Sequence, residues 1–373
     1  MEKGLAISLR GDSHKQNGKP MQDYSGAVKG DGYNIAIVCD GHGSDMHFRS
    51  HVGSRLATEA AQAKLIEFAQ ANPDYVTVSR NFGAKAERLK LSILSAWMKG
   101  IDEDQKETPF TEKELSSGVL KGEDYFAKYT KLVPYGSTML AVLLGSDYYV
   151  ALMIGDGVIL RMTPDKEVEE ESFEGKKLGD IVESLCNSAA AFKIYTKCVK
   201  IEEADKDMAF ILCSDGFCES EAFETREEMR GWTKKYLVWL AKYDIETVTE
   251  QLTKQMAHIS HVSSAKDDIS VAIAVKDPSA YWNPTPEELQ AMAEAEAQKA
   301  REQEEQAKAT EEASETAQEE TQASETAQEV EPSQTETSAG APQEEEKETV
   351  ESIQVEETTD NTAEIKEETN ETK

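Results

Sequence analysis

Carboxylates recur in this chain where apolar runs end. The run Tyr33-Asn34-Ile35-Ala36-Ile37-Val38 reads as a buried strand, and it closes on Cys39-Asp40-Gly41-His42-Gly43. The same design returns at Met153-Ile154-Gly155-Asp156-Gly157 and at Leu212-Cys213-Ser214-Asp215-Gly216. In Asp267-Asp268-Ile269 the acids come before the strand, as Asp23 does after Pro20-Met21-Gln22. A single Asp-Gly is ordinarily a turn. An aspartate at the end of a core strand, however, loses hydration and has to be paired, hydrogen-bonded or coordinated, and repetition at distant positions weakens the turn reading. Carboxylates gathered from several strand ends repel one another unless a cation neutralises them. Hard oxygen ligands with no accompanying Cys or His set select Mg²⁺ or Mn²⁺, and the neighbouring glycines let the backbone approach closely and free a carbonyl. Two such ions about 3.5–4 Å apart lower the pKa of a bridging water and clamp phosphoryl oxygens, which is the chemistry of phosphoester hydrolysis. An imidazole at position 42 titrates near neutral pH and could protonate a leaving group, a step worth about 10²–10⁴-fold. The plainer reading of His42 is a turn residue bonded to its neighbours. Ser137 and Thr138 open an apolar strand with no paired base motif, so they read as structural rather than as a covalent nucleophile.

Those strand ends need elements to hold them. Period-2 and continuous apolar runs predict strands at 5–9, 24–28, 33–39, 138–144, 148–154, 158–162, 195–201, 208–213 and 269–275, and helical spacing predicts helices at about 45–71, 84–100, 226–243 and 245–258. Strands come in consecutive groups and helices in pairs, which argues for antiparallel sheets covered by helices rather than an alternating parallel fold. Residues 148–154 and 158–162, separated by Gly155-Asp156-Gly157, are expected to be adjacent antiparallel strands joined by a tight turn. Trp97 and its apolar companions have core spacing. His47 and His51 stand at i, i+4 but lack a third ligand motif, so they are expected at the surface of the helix after Gly43.

Asn283-Pro284-Thr285-Pro286 marks a change of character, dividing a domain at 1–280 from a tail at 281–373. Residues 287–309 are good helix formers without an apolar stripe, so a single exposed helix fits. Beyond them Glu, Thr, Gln and Ser dominate, the heptamer Ala-Ser-Glu-Thr-Ala-Gln-Glu occurs at 313 and again at 323, and a disordered tether is expected. The tail carries about −22 of the formal −32 charge. A net-acidic chain without a basic stripe is repelled by phosphate backbones and anionic lipids, so nucleic acid and membrane surfaces are excluded as expected partners. The five cysteines are odd in number and none has CxxC spacing, which speaks against a disulfide framework or zinc site. With no basic-then-apolar start and no long apolar run, the expectation is a reducing, cytoplasmic setting; a monomer is expected.

Taken in order, Gly11-Asp12-Ser13-His14 with Gln22-Asp23, Asp40-Gly41-His42-Gly43, Gly136-Ser137-Thr138, Gly155-Asp156-Gly157, Ser214-Asp215-Gly216 and Asp267-Asp268-Ile269-Ser270 resemble the metal-dependent protein phosphatase (protein phosphatase 2C) family, in particular its bacterial branch, over residues 5–276. The resemblance implies an α+β fold, a four-layer αββα sandwich of two antiparallel β-sheets flanked by helices, with metals in a cleft at one edge. It implies hydrolysis of phosphoserine and phosphothreonine monoesters on proteins, opposing a Ser/Thr kinase, through a water activated by two Mn²⁺ or Mg²⁺ ions. By motif matching, Asp40 bridges both metals, Asp215 and Asp267 complete one site, the Gly41 carbonyl and Asp23 serve the other, and Asp156 helps hold a third, weaker ion. His42 matches the proposed general acid.

The chain departs from the family pattern in places. The arginine that many members place shortly before the Gln-Asp or Glu-Asp pair is missing from His14-Lys15-Gln16-Asn17-Gly18-Lys19-Pro20, so His14 or Lys19 would have to meet the substrate phosphate without a planar fork. Gly157-Val158 replaces a common Ser-Arg, and Asp267-Asp268 replaces Asp-Asn. The missing arginine keeps open an alternative from another class: a catalytically weak phosphatase-like module that binds phosphorylated partners. The segment 165–204 falls where bacterial relatives carry a mobile flap; an ordinary solvated loop is the competing reading.

Overall fold

A computed structural model of the chain describes residues 2–117, 131–176, 183–286 and 290. Its strands are β1 Glu2–Lys3, β2 Ala6–Leu9, β3 Tyr24–Gly30, β4 Tyr33–Cys39, β5 Met139–Leu144, β6 Tyr148–Ile154, β7 Val158–Met162, β8 Glu169–Glu170, β9 Tyr195–Lys200, β10 Ala209–Cys213 and β11 Ile269–Val275. The four long helices are α1 Ser50–Ala71, α2 Phe82–Glu107, α3 Arg226–Lys242 and α4 Ile245–Val262. One sheet runs β1-β3-β4-β5-β6-β9 and the other β2-β11-β10-β7-β8, with every neighbouring pair antiparallel. The predicted tail, including the expected helix at 287–309, lies outside the described residues except for a few positions at its start, and so does part of the 165–204 segment.

Strand periodicity explains the layering. Along β4, Ile35, Ile37 and Cys39 pack with α1 and α2 residues such as Ala57, Leu65, Ile93 and Trp97, while Ala36 and Val38 turn the other way and meet Phe210, Leu212 and Ala272 of the second sheet. The far side of that second sheet, Ile211, Cys213, Val271 and Ile273, packs with Tyr236, Leu237, Leu252 and Met256 of α3 and α4. Strands buried on both faces lose the polar alternation of a half-exposed strand; β5 and β6 are buried at every position. The result is helix, sheet, sheet, helix, the expected αββα sandwich, and Cys39, Cys213 and Trp97 are core residues within it.

Two expectations are corrected. β6 and β7 do not pair: β6 lies between β5 and β9 in one sheet, and β7 lies between β10 and β8 in the other. The chain crosses between sheets at Gly155-Asp156-Gly157, where Gly155 takes φ +108°, a conformation that L side chains rarely adopt. The crossing places Asp156 at the junction of the sheets instead of in a hairpin turn. The helix expected from 45 is also broken. A single turn at Asp45–His47 ends before α1, because Arg49 leaves helical backbone (φ −118°, ψ 24°) and its N–H donates to the Pro134 carbonyl at 2.9 Å.

Candidate active site

The ladder registers bring the acids together. Tyr24 faces Cys39, so Asp23 and Asp40 lie at the same end of the β3–β4 pair. Ser214 and Ser270 prolong the β10–β11 ladder, with Ser214 N–H donating to the Ser270 carbonyl at 3.0 Å and Ser270 N–H to Ser214 Oγ at 2.9 Å. That end delivers Asp215 and Asp267 to the same edge of the sandwich. β2 pairs Leu9 with Ile269, carrying Gly11 beside Asp267 and Asp268, and Val158 faces Cys213, setting Asp156 nearby.

The Asp40 turn is tied on both sides. Asp40 N–H donates to Thr138 Oγ1 at 3.0 Å and its carbonyl accepts from Thr138 N–H at 2.8 Å. Gly41 bridges Ser137 and donates to the Gln22 carbonyl at 3.1 Å, and His42 N–H donates to the Gly136 carbonyl at 3.1 Å. Gly136-Ser137-Thr138 therefore continues the sheet past Asp40 and grips the turn that carries it, which accounts for the structural reading of Ser137 and Thr138. From the other side, Gln22 Nε2 donates to the His42 carbonyl at 3.1 Å and to Ser50 Oγ at 2.6 Å.

Charge is unbalanced in this cleft. Burial and then the Asp268 and Asp215 carboxylates push Asp23 well above the usual carboxylate range, although the Ser214 and Ser270 hydroxyls oppose the shift. Asp40 is pushed up by burial and by Asp23, Asp215 and Asp267, and its side chain meets that of Asp215 directly. Asp267 and Asp156 are raised by burial and by Asp215. One oxygen of Asp23, Oδ2, is buried without a hydrogen-bond partner among the described residues. A cluster of acids that raise one another, holding an orphaned buried oxygen, is short of positive charge, and hard divalent ions fit its donor set. Ions that keep much of their water need only one or two carboxylates each.

His14 is placed differently from an open phosphate contact. Its ring is buried, with Nδ1 2.9 Å from Asp268 Oδ1 and Nε2 3.6 Å from Asp267 Oδ1. The adjoining Asp268 carboxylate raises its pKa against the opposing effect of burial. His14, Asp267 and Asp268 are the one trio among the described residues whose ligand atoms all lie within 4.8 Å of one another. Lys19 instead reaches the mouth of the cleft, where Nζ donates to the Gly43 carbonyl at 3.0 Å.

Helical spacing put His47 on the surface. It is half-buried in the turn after Gly43, its ring centroid 4.7 Å from that of His42, and burial lowers its pKa. Burial and the neighbouring His47 bring His42 down to about 4. His51 belongs to α1 while His47 belongs to the preceding turn, so the helical chelate spacing does not form. Arg49 carried no signal in the sequence. It is buried, donates to Glu114 at 2.6 and 3.0 Å and to Asp104 at 2.9 Å, and lies 4.7 Å over the Phe110 ring. Tyr135 donates to the same Asp104 oxygen at 2.6 Å. This network fixes the turn Val133–Tyr135 beneath the two histidines. No local spacing announces partners 55 and 65 residues away.

A family model for protein phosphatase 2C matches residues 10–257, and the chain belongs to that family. Membership makes it a metal-dependent protein serine/threonine phosphatase. Among solved structures, the catalytic domain of the serine/threonine phosphatase PstP in complex with two manganese ions is similar at 16% identity and TM-score 0.44, covering 73% of this chain and 96% of that one. PppA, a regulatory component of T6SS in Pseudomonas aeruginosa, is similar at 15% identity and TM-score 0.44, covering 73% and 96%. A C. elegans sex-determining protein is similar at 14% identity and TM-score 0.47, covering 76% of this chain and 67% of that one. No curated protein matches the sequence. No helix among the described residues is long and apolar enough to cross a membrane.

Proposed function

We propose that the cleft hydrolyses phosphoserine and phosphothreonine on protein substrates with two Mn²⁺ or Mg²⁺ ions held by Asp23, Asp40, the Gly41 carbonyl, Asp215 and Asp267, with Asp156 beside a third, weaker position. The observation that carries this reading is the convergence of carboxylates from both sheets, with Asp23, Asp40 and Asp267 raised by burial and by their carboxylate neighbours. When bound, two such ions supply an activated water and charge neutralisation for the phosphoryl oxygens. The chain's own residues do the rest. Asp40, fixed through its backbone by Thr138, holds the shared ligand position. His42, its backbone gripped by Gly136 and Gln22, is kept neutral by burial in the free protein; an arriving phosphate dianion favours its protonated form, which gives its proton to the departing serine or threonine oxygen. Lys19 takes the place of the family's arginine at the mouth and offers its remaining N–H donors to the substrate phosphate, as a point charge rather than a bidentate fork. His14, occupied by Asp268, orients the carboxylate floor. A protein substrate implies an opposing serine/threonine kinase.

The test is Mn²⁺-dependent hydrolysis of p-nitrophenyl phosphate and a phosphothreonine peptide by the full chain, beside Asp40→Ala and Asp215→Ala. Turnover that requires metal and disappears in both variants is expected. Peptide binding without metal-dependent turnover in the wild type would replace this reading with the binding module.

A further inference from the structure

His47 is a half-buried imidazole that the proposed reaction does not use. Its Nδ1 lies 2.5 Å from the Val133 carbonyl oxygen. A carbonyl can only accept, so Nδ1 carries the proton and Nε2 is the bare nitrogen of the neutral ring. Bond and burial together fix the plane of that ring. His42 is held in another way. Its backbone N–H and carbonyl are both engaged, but its ring makes no side-chain hydrogen bond to a described residue. Packing alone sets the ring's direction.

Two surfaces do that packing. The first is the backbone of Gly136: a Cβ added there would come within 2.7 Å of His42 Cδ2 and 2.5 Å of His47 Nδ1. The close approach explains why position 136 is a glycine. The second is the His47 ring, 4.7 Å from that of His42 and tilted by 53°. The same short turn therefore supplies the floor under both rings, the carbonyl that anchors His47 and the carbonyl that anchors the His42 backbone. Arg49 and Tyr135 brace it from below.

We propose that His47 is a positioning residue for His42, the wall that aims its imidazole at the leaving-group oxygen. The proposal rests on the reading of His42 as general acid. Its signature is dependence on the leaving group. A serine alkoxide needs a proton as it departs, whereas p-nitrophenolate is stable enough to leave without one.

With Mn²⁺ saturating, kcat and KM of the full chain are measured on a phosphoserine peptide and on p-nitrophenyl phosphate for wild type, His42→Ala, His47→Ala and His47→Asn. His42→Ala is expected to lose on the order of 10²-fold in kcat on the peptide and far less on the aryl ester. His47→Ala is expected to show the same asymmetry at roughly 10-fold, since a misaimed group loses up to about 10²-fold, with KM and Mn²⁺ affinity unchanged. His47→Asn, whose amide N–H can still reach the Val133 carbonyl, recovers most of the loss. If His42→Ala shows the asymmetry while His47→Ala is silent, or slows both substrates equally, the positioning role is overturned and the His42 reading stands. If His42→Ala shows no asymmetry, the His42 reading itself falls and takes the proposal with it.

Discussion

Asp23 and Asp268 are both 2% exposed, lie at the same edge of the sandwich, and end in opposite electrostatic states. Asp268 accepts the Gly11 N–H at 2.7 Å and the Gln22 N–H at 2.5 Å and faces His14. Burial alone would raise its pKa, yet these donors hold it below the usual carboxylate range. Asp23 has two serine hydroxyls against burial and two neighbouring carboxylates, keeps an orphaned oxygen, and is driven up. The comparison separates a carboxylate built into the fold from one left for a cation. Backbone N–H groups satisfy the first within the chain, and the second has a deficit that only an external charge can remove.

Replacing the satisfied acid should do the larger damage to stability. Asp268→Ala strands two backbone N–H groups and His14, and a loss of about 3–5 kcal/mol is expected, read as a lower midpoint in urea. An unchanged midpoint would erase the distinction. Asp23→Asn should behave in reverse. The metal-free variant becomes more stable at pH 7, because one member of a repelling set is neutralised, while Mn²⁺ affinity or turnover falls about 10–100-fold. A variant both less stable and fully active would place Asp23 with Asp268 instead.

The two acids also predict opposite pH dependences. Asp23, Asp40 and Asp267 have folded-state values above their unfolded ones, so their contribution is intact below the ordinary carboxylate range near about pH 4 and is lost as pH rises through the raised values. Asp268 has a lowered value, so its contribution is present above that range and is lost only as pH falls through the lowered one. A tenfold difference in proton affinity between the folded and unfolded chain corresponds to about 1.4 kcal/mol of stability. Metal-free protein should therefore melt at progressively lower temperature as pH climbs out of the ordinary carboxylate range and through the raised values, and saturating Mn²⁺ should flatten the slope. In Asp23→Asn the metal-free slope should already be shallower.

The acids were legible because strands buried on both faces are unbroken apolar runs, and a polar residue at their end stands out. Antiparallel sheets covered by helices followed from the grouping of strands and the pairing of helices, while the four-layer order came with the family resemblance. What the sequence hid was non-local. Apolar runs do not reveal which sheet a strand joins, so β6 and β7 read as a hairpin although Gly155 sends them to different sheets. Nor does helical spacing show where a backbone N–H finds its acceptor. Pro134, far along the chain, accepts from Arg49 and splits the predicted helix, leaving His47 in the turn before it, against His42 instead of on a solvated face. His14 carries the same lesson: its motif position allowed a phosphate contact, while the β2–β11 pairing delivered it to Asp268.

Lys19 lies in the segment between Gly11 and Gln22, whose N–H groups satisfy Asp268, and reaches the mouth, where Nζ donates to the Gly43 carbonyl. Its ammonium is a partly exposed point charge, so its contribution to phosphate binding should be modest and screened by salt. Lys19→Ala is expected to raise KM for a phosphopeptide by roughly threefold to tenfold, about 1 kcal/mol, with kcat and thermal stability nearly unchanged. Lys19→Arg should restore or improve KM, since a planar fork can grip two phosphoryl oxygens where an ammonium grips one. The effect on KM should shrink as ionic strength rises. A fall in kcat or in melting temperature for Lys19→Ala would instead assign Lys19 to the floor, holding the Gly43 turn in place as Asp268 holds Gly11 and Gln22.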